Sequence, residues 1–261
     1  DRSPSRGLGD VYKRQSPQSA ESTFIGFGTS GDVFTYSPPD SSTVYAKKVF
    51  RDKKSMENEM VVMKHISAAD YVSKNIIKHY PEHDDNVSMV YELGSETLEA
   101  RIKQTKSADK KWNLMQKVHS DISAALDELT MLGVVHKDIK PGNIFFRDGK
   151  WKLGDFGSAT IGTKCESFSG FTPLFMSPHA FEQQYFDNNS DRWALGVTLW
   201  MILHGLKRNP MVHNEVENQF QIIGACSKSM TVISDAIKKS ISKSPYDSTH
   251  GFTEMFTKIF S

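Results

Sequence analysis

The residues most able to do chemistry lie between two apolar stretches at positions 133–146, GVVHKDIKPGNIFF. This segment combines a carboxylate, an ammonium group and an amide, at Asp138, Lys140 and Asn143. Pro141 excludes a helix interior, because proline lacks the N–H that would bond to the preceding turn and its ring would clash there. We therefore predict a stiff loop between two buried strands that fixes these polar groups close together.

A second carboxylate follows after a short hairpin, in the sequence Asp155-Phe156-Gly157. Phosphoryl transfer needs such a set, since one carboxylate orients the attacking hydroxyl and further oxygen ligands hold magnesium against the phosphates. A cation such as Lys140 would stabilise the charge that spreads over the phosphoryl oxygens in the transition state. His136, which follows two valines, and Phe156 are expected to pack in the core and not to react.

A glycine pattern near the start, Gly26-x-Gly28-x-x-Gly31, allows backbone N–H groups to approach an anion closely. Alone it is weak evidence, because the same pattern occurs in simple turns. A dinucleotide-binding fold would place a helix directly after the glycines, whereas here GDVFTY continues as a strand. The pattern therefore favours a glycine-rich hairpin that lies over a nucleotide, with Val33 packing on the base.

The strand predicted at residues 44–50, VYAKKVF, places Ala46 and Lys48 on one face and Lys47 on the other. A small side chain at Ala46 leaves room for an adenine ring, and Lys48 can reach phosphates. The alternative is that both lysines are solvated charges on the strand. The glycine hairpin upstream favours the nucleotide interpretation.

Lys48 in a partly closed site would need a carboxylate partner, and Glu59 is the candidate. Residues 56–66, MENEMVVMKHI, have apolar residues at helical spacing, and Glu59 lies one turn from Met63 on the same face. Glu57 competes for this role, but Glu59 is favoured because its apolar neighbours would bury it.

The remaining pattern divides the chain into a strand-rich first part and a helical second part. Regular elements are predicted as strands at 44–50 and 86–93 and as helices at 112–132 and 193–206. These elements predict an α+β fold with a small β-rich lobe, about residues 22–93, joined near residues 92–95 to a larger helical lobe, about residues 95–261.

Composition excludes several classes of protein. The chain has 261 residues, of which 38% are hydrophobic and 24% charged, so it can form a packed core, and its net charge of +1 favours neither nucleic acid nor a membrane surface. No apolar run approaches the roughly 18 residues of a membrane span. Two cysteines, Cys165 and Cys226, argue against a disulfide scaffold, so we expect an intracellular, cytoplasmic protein.

Residues 1–21 differ from the rest, because they are rich in Ser, Arg, Gly and Pro and have almost no apolar periodicity. They have the composition of a disordered tail, while SPSRGLGDVYKRQ also resembles translated library-adapter sequence. We predict a disordered or non-native leader without function, followed by a domain that starts at residue 22.

The motifs together resemble the eukaryotic-type protein kinase family over roughly residues 22–261. In order along the chain, they are GFGTSGDV, YAKK, NEMVVMKHI, HKDIKPGN, DFG, TPLFMSPH and SDRWALG. The resemblance implies a bilobal protein-kinase-like fold, ATP and Mg²⁺ as cofactors, and a protein substrate. Lys140 in DIKPGN and Thr172 in FTPLF match the serine/threonine subclass.

The resemblance also implies roles for individual residues. Asp138 would be the catalytic base, with Lys140 beside it, and Asn143 and Asp155 would be the magnesium ligands. The implied ATP-binding residues are Gly26, Gly28, Gly31, Val33, Ala46, Lys48, Glu59, Tyr91, Glu92 and Leu93. Among these, Lys48 paired with Glu59 would hold the α- and β-phosphates, Tyr91 would stand at the gate before the hinge, and the backbone of Glu92 would meet adenine.

Two departures from the family pattern concern regulation and the first helix. Lys137 replaces the usual arginine before the catalytic aspartate, and lysine is a point charge without the bidentate fork that arginine offers to a phosphate. Control by phosphorylation of the activation loop is therefore in doubt. The stretch from Lys48 to Glu59 is also short for the family and leaves little room for a connector before the helix.

A third departure lies further along, where Ser177-Pro178-His179 replaces the family's Ala-Pro-Glu and no arginine follows Arg208 to pair with a glutamate. The stripe in FTEMFTKIFS, residues 252–261, suits a buried helix face, and in the family a further helix follows. We therefore expect a C-terminally truncated domain with some apolar surface uncovered.

Two other functions remain open at this point. A pseudokinase, or nucleotide-binding scaffold without transfer activity, is suggested by Lys137 and His179. A small-molecule phosphotransferase of kinase-like fold would also carry a His-x-Asp and a downstream Asn, but such enzymes generally lack the TPLFMSP segment. The complete catalytic set favours ATP-dependent phosphoryl transfer to Ser/Thr hydroxyls of proteins, while the oligomeric state stays unknown.

Overall fold

The computed structural model describes residues 22–28, 30–39, 41–69 and 74–206. The predicted leader, Cys226, Arg208 and the stripe at residues 252–261 lie outside the described residues.

The first part of the chain forms one antiparallel sheet in the order β1-β2-β3-β4. Its strands are β1 Phe24–Phe27, β2 Gly31–Tyr36, β3 Tyr45–Phe50 and β4 Ser88–Glu92. The predicted strands are thus confirmed, and β1 and β2 form the glycine hairpin at the edge of the sheet. Val33 lies opposite Lys48 across the β2–β3 pair, and Ala46 lies opposite Tyr91 across the β3–β4 pair.

Helix α1, Lys53–Ser67, follows β3 almost directly and packs beside the sheet. Asp52 caps its first turn, because the carboxylate accepts the backbone N–H of Ser55 at 2.8 Å. One face of the helix is buried, and it carries Met56, Glu59, Val62, Met63 and Ile66. The expectation that little room remains for a connector before the helix is confirmed, because the N-cap Asp52 lies two residues after the end of β3 at Phe50.

The second part is mainly helical. Its helices are α2 Leu98–Gln104, α3 Ala108–Met131, α4 Pro178–Gln183 and α5 Asn188–His204. Its short strands are β5 Glu96–Thr97, β6 Val134–Val135, β7 Ile144–Arg147, β8 Lys150–Leu153, β9 Thr160–Ile161, β10 Lys164–Cys165 and β11 Phe186–Asp187. They form a three-stranded sheet in the order β5-β7-β8 and the two pairs β6-β9 and β10-β11. The long predicted helices are confirmed as α3 and α5, which pack against each other.

One continuous apolar core runs through both parts, from Met63 on α1 to Leu129 on α3 and Leu199 on α5. The predicted α+β, bilobal fold is what the structure shows, with a sheet-based first part and helices in the following part. In the described part of the chain, no helix is both long enough and apolar enough to cross a membrane.

Candidate active site

A single buried carboxylate, that of Asp191, binds the backbone of the loop that carries Asp138. Asp191, in the first turn of α5, accepts the backbone N–H of His136 at 2.7 Å and that of Lys137 at 2.8 Å. Burial raises the pKa of Asp191 to about 7. The two backbone N–H donors act in the opposite direction and lower this pKa, because they stabilise the charged carboxylate. Lys137 has a φ of 70°, so these bonds also hold a left-handed backbone in place.

The anchoring role of Asp191, which stands in the motif SDRWALG, was not predicted from the sequence. An aspartate directly before the apolar run of residues 193–206 was the available signal, since a buried carboxylate needs partners. His136 and Phe156 pack as expected, because both are buried and their ring centroids lie 4.8 Å apart. Burial lowers the pKa of His136, whose Nε2 lies 3.1 Å from the carbonyl oxygen of Gly154.

The Asp138 carboxylate accepts hydrogen bonds from three side chains. Its Oδ1 accepts the hydroxyl of Thr172 at 2.6 Å, and its Oδ2 accepts Nζ of Lys140 at 2.7 Å. Nδ2 of Asn143 donates to the same Oδ2 at 3.0 Å and to the backbone carbonyl of Asp138 at 2.8 Å. The structure therefore brings together the residues predicted for catalysis, and it presents a carboxylate whose orientation is set by three separate donors.

A second cluster of charged side chains consists of Lys48, Glu59 and Asp155. Nζ of Lys48 lies 2.7 Å from Oε2 of Glu59 and 2.7 Å from Oδ1 of Asp155. Burial alone would lower the pKa of Lys48, but the carboxylates of Asp155 and Glu59 outweigh it and raise that pKa. The competing Glu57 instead pairs with Lys53 on the surface.

The two carboxylates beside Lys48 differ in their electrostatics. Burial raises the pKa of Glu59 despite the attraction of Lys48. Burial would also raise the pKa of Asp155, but the Lys48 ammonium outweighs it and holds that pKa below its ordinary value. Asp155 also has a φ of 59°, a left-handed conformation that is uncommon outside glycine and is concentrated at functional sites.

A cavity of about 690 Å³ lies between the glycine hairpin, the segment after β4 and the Asp138 loop. Of the predicted residues, those that line it are Gly26, Gly28, Val33, Ala46, Lys48, Glu59, Tyr91, Glu92, Leu93, Asn143 and Asp155. Asp138 and Lys140 lie next to it through Asn143. Gly31 does not line the cavity; it packs against β3, where an added Cβ would lie 2.4 Å from the carbonyl oxygen of Val49.

The cavity also has an apolar wall that the sequence analysis missed. Phe145 on β7 and Ile77 line it together with Gly154. A Cβ at Gly154 would lie 3.0 Å from the Phe145 ring and 3.1 Å from Ile77, so glycine allows these groups to come close. Phe145 stands in the apolar run after the Asp138 loop, which was a usable signal, whereas nothing near Ile77 indicated a site. Ala46 lines the same cavity, and an apolar wall of this kind suits a flat aromatic ring.

The segment after β4 is tied to the second part by side chains. The carboxylate oxygens of Glu92 each lie 2.8 Å from Nζ of Lys152, and Arg147 donates to the carbonyl oxygen of Leu93 at 3.1 Å. The backbone N–H of Glu92 already donates to the carbonyl oxygen of Lys78 at 2.8 Å. A backbone contact from Glu92 to a base would therefore have to come from its carbonyl group.

The side chains at the inner end of the cavity fit a magnesium ion shared with phosphates. Asp155 and Asn143 both line the cavity. The amide nitrogen of Asn143 is committed to Asp138, so its amide oxygen is the atom left to act as a ligand. Among the residues that the structure describes, no group of three or more His, Cys, Asp or Glu could hold a metal by itself. One carboxylate and one amide oxygen are what Mg²⁺ takes from a protein when phosphates supply other ligands.

His179 contacts two neighbouring side chains, those of Asp187 and Tyr185. Its Nε2 lies 3.6 Å from Oδ2 of Asp187, and its ring lies beside that of Tyr185 with centroids 5.4 Å apart. The segment is held further by pairing between β10 and β11, in which Lys164 lies opposite Asp187. The corner where the family pattern has a glutamate is thus closed by neighbouring side chains.

The family model and the relatives that match this chain are all protein kinases. A family model described as protein kinase domain matches residues 20–260. MAP kinase-activated protein kinase 2 of Drosophila melanogaster is 25% identical over 74% of this chain and 59% of its own length. Calcium/calmodulin-dependent protein kinase type 1B of Homo sapiens is 29% identical over 61% of this chain and 47% of its own. Calcium and calcium/calmodulin-dependent serine/threonine-protein kinase of Pisum sativum is 29% identical over 72% and 37%. The chain thus spans only 37% to 59% of the length of these relatives.

Proposed function

The chain belongs to the protein kinase family, and we propose that it transfers the γ-phosphoryl group of ATP to serine and threonine hydroxyls of protein substrates. The observation that carries the proposal is the Asp138 carboxylate, held at 2.6 Å by the Thr172 hydroxyl and at 2.7 Å by the Lys140 ammonium group. This carboxylate adjoins a cavity of about 690 Å³, which is large enough for a nucleotide.

ATP is proposed to bind with its adenine against the apolar wall of Phe145 and beneath Val33. The backbone carbonyl of Glu92 would accept a hydrogen bond from the base. The phosphates would then lie under the glycine hairpin and reach Lys48, whose charge is kept by its two carboxylate partners. Asp155 and Asn143 would hold Mg²⁺, which neutralises phosphate charge when bound.

Asp138 is proposed to orient the acceptor hydroxyl and to take its proton as the new oxygen–phosphorus bond forms. The bond between the γ-phosphorus and the bridging oxygen of the β-phosphate breaks at the same time, and ADP leaves. Lys140 shares this carboxylate, so its positive charge would lie beside the group being transferred. Thr172 opens the segment TPLFMSP, residues 172–178, and donates its hydroxyl to the same carboxylate, so we infer that this segment docks the peptide substrate beside the base. The two-cysteine composition supports an intracellular setting for this reaction.

A transfer assay tests the proposal directly. The chain is incubated with γ-labelled ATP, Mg²⁺ and generic protein acceptors such as casein and histone, followed by phosphoamino-acid analysis. We expect labelled phosphoserine and phosphothreonine. Dominant phosphotyrosine would overturn the acceptor specificity, ATP binding without transfer would favour a scaffold, and labelling of choline or an aminoglycoside instead of protein would favour a small-molecule phosphotransferase.

A further inference from the structure

The two oxygens of the Glu59 carboxylate are held by donors from two neighbouring strands. Oε2 accepts Nζ of Lys48 on β3 at 2.7 Å, and Oε1 accepts the hydroxyl of Tyr91 on β4 at 2.7 Å. Glu59 itself stands on α1, so this carboxylate joins the helix to the sheet at two points. The arrangement gives Tyr91 a contact that its place at the gate before the hinge does not require.

Burial makes the contact with Tyr91 energetically important. Glu59 is 1% exposed and Tyr91 is 9% exposed, so bulk water has little access to the carboxylate. A buried acceptor that loses its donor keeps the full cost of its desolvation. Burial together with the neighbouring Glu59 charge raises the pKa of Tyr91 well above its ordinary value, so its hydroxyl stays protonated and can donate.

The ammonium group of Lys48 contacts two carboxylates. It lies 2.7 Å from Glu59 and also 2.7 Å from Asp155, a proposed magnesium ligand. Oε2 of Glu59 lies close to Gly157, where an added Cβ would be 3.1 Å away, so with glycine at this position no side chain restrains the carboxylate from that side. The hydroxyl of Tyr91 restrains the carboxylate by its hydrogen bond to the other oxygen, Oε1. Without it, Glu59 would hold Lys48 less firmly and Lys48 would shift towards Asp155.

We propose that Tyr91 is a positioning residue, whose hydroxyl orients Glu59 and thereby keeps Lys48 directed at the phosphates of ATP. The inference rests on the proposed function only in taking ATP as the ligand of the cavity. Tyr91 would act through Glu59 and Lys48 and would not touch the reacting atoms.

The test compares ATP with adenosine, because adenosine fills the base site and lacks the phosphates. Tyr91→Phe removes the hydroxyl and keeps the ring, whose centroid lies 5.4 Å from that of His79. Tyr80→Phe is the matched control, since Tyr80 lies outside the cavity lining and its ring packs on Tyr45 with centroids 4.9 Å apart. Affinities for Mg·ATP and for adenosine are measured by calorimetry, with thermal melting to check the fold.

We expect Tyr91→Phe to weaken Mg·ATP binding by about tenfold, the size of one hydrogen bond to a charged group, and to leave adenosine binding unchanged. In a Glu59→Ala background, the same change should have no further effect on Mg·ATP, because Tyr91 then has no carboxylate to orient. An equal loss for ATP and adenosine, or no loss for ATP, would overturn the proposal. If Glu59→Ala does not fold, the ratio of the two affinities in the single variant still decides.

The binding measurement does not depend on transfer, so the two proposals fail separately. A wild-type chain that binds ATP but transfers no phosphate, together with the selective loss in Tyr91→Phe, would overturn the proposed function and support the role of Tyr91. A wild-type chain that phosphorylates protein, with Tyr91→Phe equal to it in ATP affinity and in turnover, would support the function and overturn the role of Tyr91.

Discussion

Nζ of Lys48 lies 2.7 Å from Oε2 of Glu59. Along the chain, the two residues are separated only by the end of strand β3 and the start of helix α1. Strand β3 ends at Phe50 and helix α1 begins at Lys53. Asp52 caps the helix at once, so the first turns already bring Glu59 over the sheet. The ion pair therefore needs no longer connector.

Replacing Lys48 tests how much the fold depends on this buried cation. In Lys48→Met, Glu59 and Asp155 both lose their shared partner, and we expect the free energy of unfolding to fall by about 3 kcal/mol. Lys47→Met is the matched control, because Lys47 lies on the other face and pairs with Asp85, whose side chain is 44% exposed. Its effect should stay below about 1 kcal/mol. Denaturant unfolding measures both, and equal losses would contradict the buried role.

Two glycines of the hairpin should respond differently to alanine. In Gly31→Ala, the new methyl group would meet the carbonyl oxygen of Val49 at 2.4 Å, so we expect the melting temperature to fall by several degrees. A Cβ at Gly26 meets nothing within 4 Å. Gly26→Ala should therefore melt like the wild type and, because Gly26 lines the cavity, bind ATP more weakly. The reverse pattern in melting and ATP titration would show that the packing and binding roles are assigned wrongly.

Magnesium dependence tests Asp155. Asp155→Asn exchanges a charged ligand for a neutral one, and asparagine tolerates the left-handed backbone, so we expect the fold to persist while ATP affinity stops responding to Mg²⁺. Asp148→Asn is the control, since Asp148 also has a positive φ, of 50°, but its side chain is 71% exposed. ATP binding is titrated with Mg²⁺ and with a chelator. A wild-type response in Asp155→Asn would remove the residue from the metal site.

The raised pKa of Asp191 makes stability depend on pH. Burial raises it from 3.8 to about 7, so between these values the folded chain binds a proton that the unfolded chain does not. This contribution to stability is fully present below about pH 4 and is lost as the pH rises through 7. Asp191→Asn lacks the ionisation, so the free energy of unfolding of wild type relative to the variant should decrease from pH 4 to pH 7. A difference that stays constant or grows over this window would contradict the assignment.

Local pattern predicted the elements well. Alternation placed Lys48 inside and Lys47 outside, and the helical spacing of residues 56–66 selected Glu59 over Glu57, as the ion pairs show. Helix α2 was missed because Leu98–Gln104 is too short for a periodic signal.

The contacts that complete the site depend on how distant segments pack. Tyr91 reaches Glu59 only because β4 lies beside β3 under α1, and Asp191 meets the loop only because α5 passes beneath it. Ile77 and Phe145 lie beside Gly154 in the same wall of the cavity, although they come from separate parts of the chain. Periodicity reports on neighbours within a few residues, so it cannot give such pairs without the fold.

The measurement that tests the central claim most directly is the transfer of labelled phosphate to protein by Asp138→Asn beside the wild type. The variant keeps a side chain of the same size but cannot take the proton of the acceptor hydroxyl. Asp127→Asn, on the exposed side of α3, is the control and should match the wild type. We predict that Asp138→Asn lowers turnover by about a hundredfold or more while ATP still binds. Turnover equal to that of the wild type would remove Asp138 from catalysis and contradict the proposed mechanism.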